Sequence, residues 1–243
     1  MGEIGYDLPM ADGRDPVTRI PLFPLSDVVC FPRTALKLVV EEPRYLRMVK
    51  DLMEEDDDAR RIGMVLLKPG WAQSESSRPA VFSEGTASRL VDVDNLPDGR
   101  SCILLVGDFR FELERELVGD EPYRKAVVRP VEEPWLNEHD AGILAVRKAT
   151  VELLHHLAEE TGERFPLTAD ELEEIAGDCA FEELVNRVAA GLDLPPLRKL
   201  KLLQQPLPDR GLSILSILRN RHQVMDMLRP WRHLAGDHDH SRN

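Results

Sequence analysis

The stretch IPLFPLSDVVCFP at Ile20–Pro32, with the return run ALKLVV at Ala35–Val40 and the EEPRY start at Glu41–Tyr45, decides the reading of this chain. Two apolar runs flank a polar break at Ser26–Asp27, and Pro21, Pro24 and Pro32 punctuate them. Proline has no backbone donor, so these positions suit a sheet edge, a bend or a strand end. In the second run Leu36, Leu38 and Val40 fall on one face, the alternation of a half-buried strand. Pro43 stands where a first helical turn tolerates it, behind Glu41–Glu42, whose charge suits the positive helix end. Tyr45, Val49, Leu52 and Met53 follow at helical spacing. The local order is strand, turn, strand, helix.

Beyond this stretch the period stays near two. Arg61–Lys68 carries an unbroken apolar run and reads as a central strand. Pro69–Pro79 is a Gly- and Ser-containing loop around an isolated Trp71. Val81–Asp94 is extended, and the Pro-Asp-Gly signal within Leu96–Arg100 joins it in a hairpin to Ser101–Val106. Gly107–Asp108 reads as a turn before Phe109, Phe111 and Leu113, which alternate with charged residues. Tyr123–Val131 is the last strand. Short connections favour a mostly antiparallel, barrel-like sheet.

After Pro134 the period changes to that of a helix. Ile143, Val146, Thr150, Leu153, Leu154 and Leu157 form one stripe. Thr168–Glu171 reads as a capping box. Phe181, Leu184, Val185, Val188, Ala189 and Leu192 form a further stripe. Pro195–Pro196 opens a short basic helix, Gln204–Gly211 is a proline-bearing break, and Leu212–Leu228 is the last helix. The fold class is therefore α+β. A flexible arm at 1–19 precedes a β-rich domain at 20–134, a helical subdomain at 135–234 and a tail at 235–243.

PLFPL at Pro21–Leu25, EPRY at Glu42–Tyr45, RIGMVLLKPG at Arg61–Gly70, LPDGR at Leu96–Arg100 and Phe109–Arg110–Phe111 occur in an order that resembles the N-terminal, substrate-binding domain of Lon-type proteases. The resemblance implies a PUA-like β-barrel followed by a helical bundle, and binding of unfolded or exposed hydrophobic polypeptide segments. The phosphate loop GxxxxGK[ST] is not found in the sequence, nor are GxSxG, HExxH and CxxC. The reading is thus a stand-alone, non-catalytic recognition module without the ATPase and peptidase domains, an adaptor or holdase.

The chain has 243 residues, enough for one large or two small cores, and 42% hydrophobic content. Its net charge of −13 argues against nucleic acid, whose binders draw affinity from cations. RNA binding on the barrel surface is the alternative, resting on fold analogy and on the small cluster Arg124, Lys125 and Arg129. A hydrolase built on paired carboxylates is a third reading, and surplus solvated acids account for those pairs. No apolar run reaches the ~18–20 residues of a membrane span, and the acidic start lacks a secretory core, so the expected location is cytoplasmic. Cys30, Cys102 and Cys179 read as free thiols.

No cofactor and no metal are expected. His238 and His240 in the tail offer too few fixed ligands. His155 and His156 diverge by about 100° on a helix. Glu54–Asp58 lacks the alternation of a calcium loop. For peptide binding the candidates are Trp71, Phe31, Pro32 and Tyr45, on an apolar cleft expected where barrel and bundle meet. Trp71 is either a plug on the barrel or an exposed contact. For Tyr45 core burial is the competing reading.

Overall fold

The computed structural model describes residues 18–73, 78–161, 167, 169–177 and 179–229. The capping-box residue Thr168, the pair His238 and His240, and all but two residues of the N-terminal arm lie outside these. Two compact units divide the chain. The first holds the described residues up to Cys30 together with Ala35–Glu132, and the second holds Phe31–Thr34 and the described residues from Glu133 onward.

The first unit is built on strands β1 (Thr18–Leu25), β2 (Ala35–Val40), β3 (Arg61–Leu67), β4 (Val81–Asn95), β5 (Ser101–Leu117) and β6 (Arg124–Pro130), with helix α1 (Pro43–Met53) after β2. The sheet runs β2-β5-β4-β3-β1-β6, and β5 also pairs with β6, which closes five strands on one another. Among the described strand pairs, only β1–β3 is parallel. β1 begins at Thr18, so Thr18 and Arg19 belong to the sheet and not to an arm.

β1 is an interior strand despite its prolines, and its register explains how. It pairs with β6 over Thr18–Leu22 and with β3 over Leu22–Leu25. Pro21 and Pro24 thus each sit where one side of the strand is unpaired, and a missing N–H there breaks no ladder. The strand buries both faces. Ile20 and Leu22 join Val65, Ala87, Phe111, Ala126 and Val128 in one core. Phe23 joins Tyr45, Met48, Val49 and Leu52 of α1, with Ile62, Met64, Ile103 and Leu105, in another.

Gly107–Asp108 is not a turn. β5 runs unbroken from Ser101 to Leu117. The register against β4 passes from Ser88↔Gly107 to Ala87↔Phe109, leaving Asp108 as the extra residue of a bulge. Its carboxylate accepts from Arg61 Nε at 2.9 Å. The Pro-Asp-Gly hairpin forms, with Gly99 at φ +86° and Leu96 N–H donating to the Arg100 carbonyl at 2.8 Å.

The second unit contains α2 (Ala141–Thr161), α3 (Ala169–Ala176), α4 (Phe181–Gly191), α5 (Pro196–Leu203) and α6 (Leu207–Leu228). α6 starts five residues earlier than its periodicity suggests, because Pro208 falls in the first turn, where no donor is lost. Leu154, Leu157, Ile175, Leu184, Val188, Ile214 and Leu218 are among its buried residues.

Candidate peptide-binding cleft

The first unit carries a cleft of 460 Å³ beside the start of α1. The end of β1 supplies Pro24 and Leu25, α1 supplies Arg44 and Tyr45, and the β3–β4 connection supplies Trp71 and Pro79. Trp71 lies in a short 3₁₀ turn at Trp71–Gln73 and is 43% exposed. It is therefore a wall of the cleft and not a plug buried in the barrel. Tyr45 is only 6% exposed. Its ring packs on Phe23 with centroids 4.3 Å apart, and the Arg44 guanidinium lies 4.8 Å above its centroid. Burial pushes the Tyr45 hydroxyl above its ordinary range, against the pull of Arg44.

Two arginines set the polarity. Arg44 pairs with Glu42 at 2.6 Å. Arg124 is 8% exposed and donates through Nη1 to the Pro79 carbonyl at 2.8 Å and through Nε to Glu116 at 2.9 Å, with Nη2 on the other Glu116 oxygen. This fork ties the loop carrying Trp71 to the sheet, a bidentate geometry that lysine could not supply. The site so assembled offers an apolar and aromatic lining with two arginines, each paired with a glutamate.

Of the four residues singled out from sequence, Trp71 and Tyr45 line this cleft, and Phe31 and Pro32 are not among its lining residues. Phe31 has no exposure and Pro32 is buried as well. The chain turns there, with Arg33 at φ 62° and the Thr34 hydroxyl donating to the Phe31 carbonyl at 2.7 Å. This tip groups with the helical unit. An aromatic next to a proline reads as surface only until the tip's burial is known. Arg44, Pro79 and Arg124 were missed as lining residues. Arg44 was in view as part of EPRY, but nothing local linked Arg124 to Pro79.

The basic residues Arg124 and Arg129 pair with Glu116 and Glu114 of β5, and Lys125 pairs with Glu121 in the β5–β6 connection. None of the described helices is long and apolar enough to cross a membrane. Cys30, Cys102 and Cys179 are free thiols.

The family described as the ATP-dependent protease La (LON) substrate-binding domain matches residues 19–220. The Lon protease of Flavobacterium johnsoniae is 25% identical over 209 residues, covering 86% of this chain and 25% of that protein. The Lon protease of Cytophaga hutchinsonii is 33% identical over 109 residues, 45% of this chain. The chain spans about a quarter of the length of the curated relatives that it matches over most of its own length. Among solved structures, the N-terminal domain of the Mycobacterium avium complex Lon protease superposes with a TM-score of 0.61 at 13% identity, over 83% of this chain and 98% of that one. A Lon N-terminal domain protein from Xanthomonas campestris gives 0.54 at 26% identity, over 82% and 98%.

Proposed function

The chain belongs to the LON substrate-binding domain family, and on that premise we propose that it captures exposed hydrophobic polypeptide segments without chemistry, as an adaptor or holdase in the cytoplasm. The cleft between Trp71 and Tyr45 is the recognition surface. The observation that carries this reading is the half-exposed Trp71 on the wall of an open cleft, since tryptophan is among the side chains that most often carry the binding energy of an interface. The pairing of Arg124, Lys125 and Arg129 with glutamates weighs against the RNA alternative, which needs cations free for phosphate.

The test is capture of reduced, unfolded casein by the full chain, followed by fluorescence anisotropy at low and moderate salt. Trp71→Ala should weaken capture at least ~10-fold, the scale of a single hot-spot residue, and leave the melting temperature within a degree or two. Binding should persist in moderate salt, because apolar contact is not screened. Unchanged capture in Trp71→Ala removes the cleft as the site, and capture abolished by salt removes the apolar mechanism.

A further inference from the structure

Among the described residues, metal-ligating side chains converge on the helical unit. On α6, His222 and Asp226 are four residues apart and share a helix face. His222 Nε2 lies 3.4 Å from Asp226 Oδ2. α2 brings Glu160 to the same spot, and the ligand atoms of Glu160, His222 and Asp226 all lie within 4.8 Å of one another. His156, one turn before Glu160 on α2, stacks on His222 with ring centroids 5.7 Å apart and planes 22° apart. Each helix thus presents a histidine followed four residues later by a carboxylate.

One detail favours a shared ion over a plain hydrogen bond. The 3.4 Å separation is long for an imidazole N–H on a carboxylate, for which about 2.7–3.2 Å is usual. Two ligands each about 2.0–2.1 Å from a tetrahedral zinc lie ~3.3 Å apart.

We propose that Glu160, His222 and Asp226 form a binding site for a divalent transition-metal ion, zinc in the first instance, that clips α2 to α6. The imidazole ligand selects this class over magnesium and calcium, which take oxygen sets. Three protein ligands leave the fourth tetrahedral position to water. His156 also lines a surface hollow of 480 Å³ with Glu152, Leu153 and Arg219.

Without metal, Arg229 neutralises the site by pairing with Glu160 and with Asp226, the latter at 3.3 Å. Its side chain is 61% exposed, so an incoming ion displaces it to water at small cost. The site was invisible in the sequence because its ligands come from helices far apart in the chain, and His155–His156 alone point apart.

The experiment uses the untagged full chain, stripped with chelator, titrated with Zn²⁺ by calorimetry and with Co²⁺ by visible absorption. One equivalent should bind, with tetrahedral cobalt bands and a raised melting temperature. His222→Ala and Glu160→Gln should each weaken binding at least ~10-fold, a loss that even outer-shell partners can cause. Glu160→Gln keeps the side-chain shape and so tests the site if His222→Ala fails to fold. Arg229→Ala should tighten binding by removing the competing cation. The double change His238→Ala/His240→Ala should leave it unaltered. Absence of stoichiometric zinc binding, binding retained in Glu160→Gln, or binding lost only in the tail variant overturns the site.

Discussion

The Arg210 guanidinium donates through Nη1 to the Asn186 carboxamide oxygen across 2.5 Å, with both residues fully shut from solvent. The same guanidinium serves the carbonyls of Leu202 at 3.0 Å, Leu203 at 3.1 Å and Gln205 at 2.9 Å, and Glu133 Oε1 at 3.2 Å. It thus closes the end of α5 and joins α4 to α6. Arg210→Met strips these acceptors of their donor, and removing one partner of a buried charged network costs about 3–5 kcal/mol. Urea unfolding should show that loss. Arg210→Lys should fall between, because an ammonium has three donors and cannot span the fork.

Phe31 should behave as core and not as a peptide contact. It has no exposure, so Phe31→Ala should cost about 3–5 kcal/mol while casein affinity, measured on the folded fraction, stays within twofold. Trp71→Ala should give the reverse pattern, and the two variants together separate packing from recognition.

Asp51 and Tyr123 make a pH-dependent contact between α1 and the approach to β6, the Tyr123 hydroxyl donating to Asp51 Oδ2 at 2.9 Å. Desolvation acts to raise the Asp51 carboxyl, but hydrogen bonds from Tyr123 and Arg47 outweigh it and hold the group below its ordinary range. A depressed carboxylate adds stability above the ordinary carboxylate value of about 3.9 and loses it as pH falls through the folded value. Tyr123→Phe should therefore cost about 1 kcal/mol at pH 7. The gap from wild type, read by thermal melts, should shrink below about pH 4.

Gly85 has no room for a side chain. A Cβ there would stand 2.3 Å from the Met64 carbonyl oxygen and 2.9 Å from Phe111 Cζ. The carbonyl is sheet backbone and cannot step aside, so Gly85→Ala should destabilise by at least the ~1–3 kcal/mol of ordinary overpacking. A melting temperature equal to wild type would mean that Phe111 and the strand relax freely.

Local pattern carried most of the fold. The alternation of Leu36, Leu38 and Val40, the proline at the first turn of α1, the Pro-Asp-Gly hairpin and the change of period after Pro134 each involve residues within a few positions of one another. Backbone geometry alone settles such features. Gly107–Asp108 and Pro208 were ambiguous because the same residues serve a turn, a bulge or a helix start, and only strand pairing or helix docking chooses among them.

What the amino-acid sequence determined by itself was therefore the α+β order, the elements and their apolar faces. Tertiary structure decided which aromatics those faces leave in reach of solvent. Trp71 lines a cleft together with Pro79, whose carbonyl Arg124 ties to the sheet, whereas Phe31, an aromatic beside a proline, is fully buried. The meeting of Glu160 with His222 is likewise set by how α2 and α6 pack. The physical reason is common to all three: periodicity records which side of an element is apolar, while a site depends on side chains from distant segments arriving within a few ångströms, and only packing brings them there.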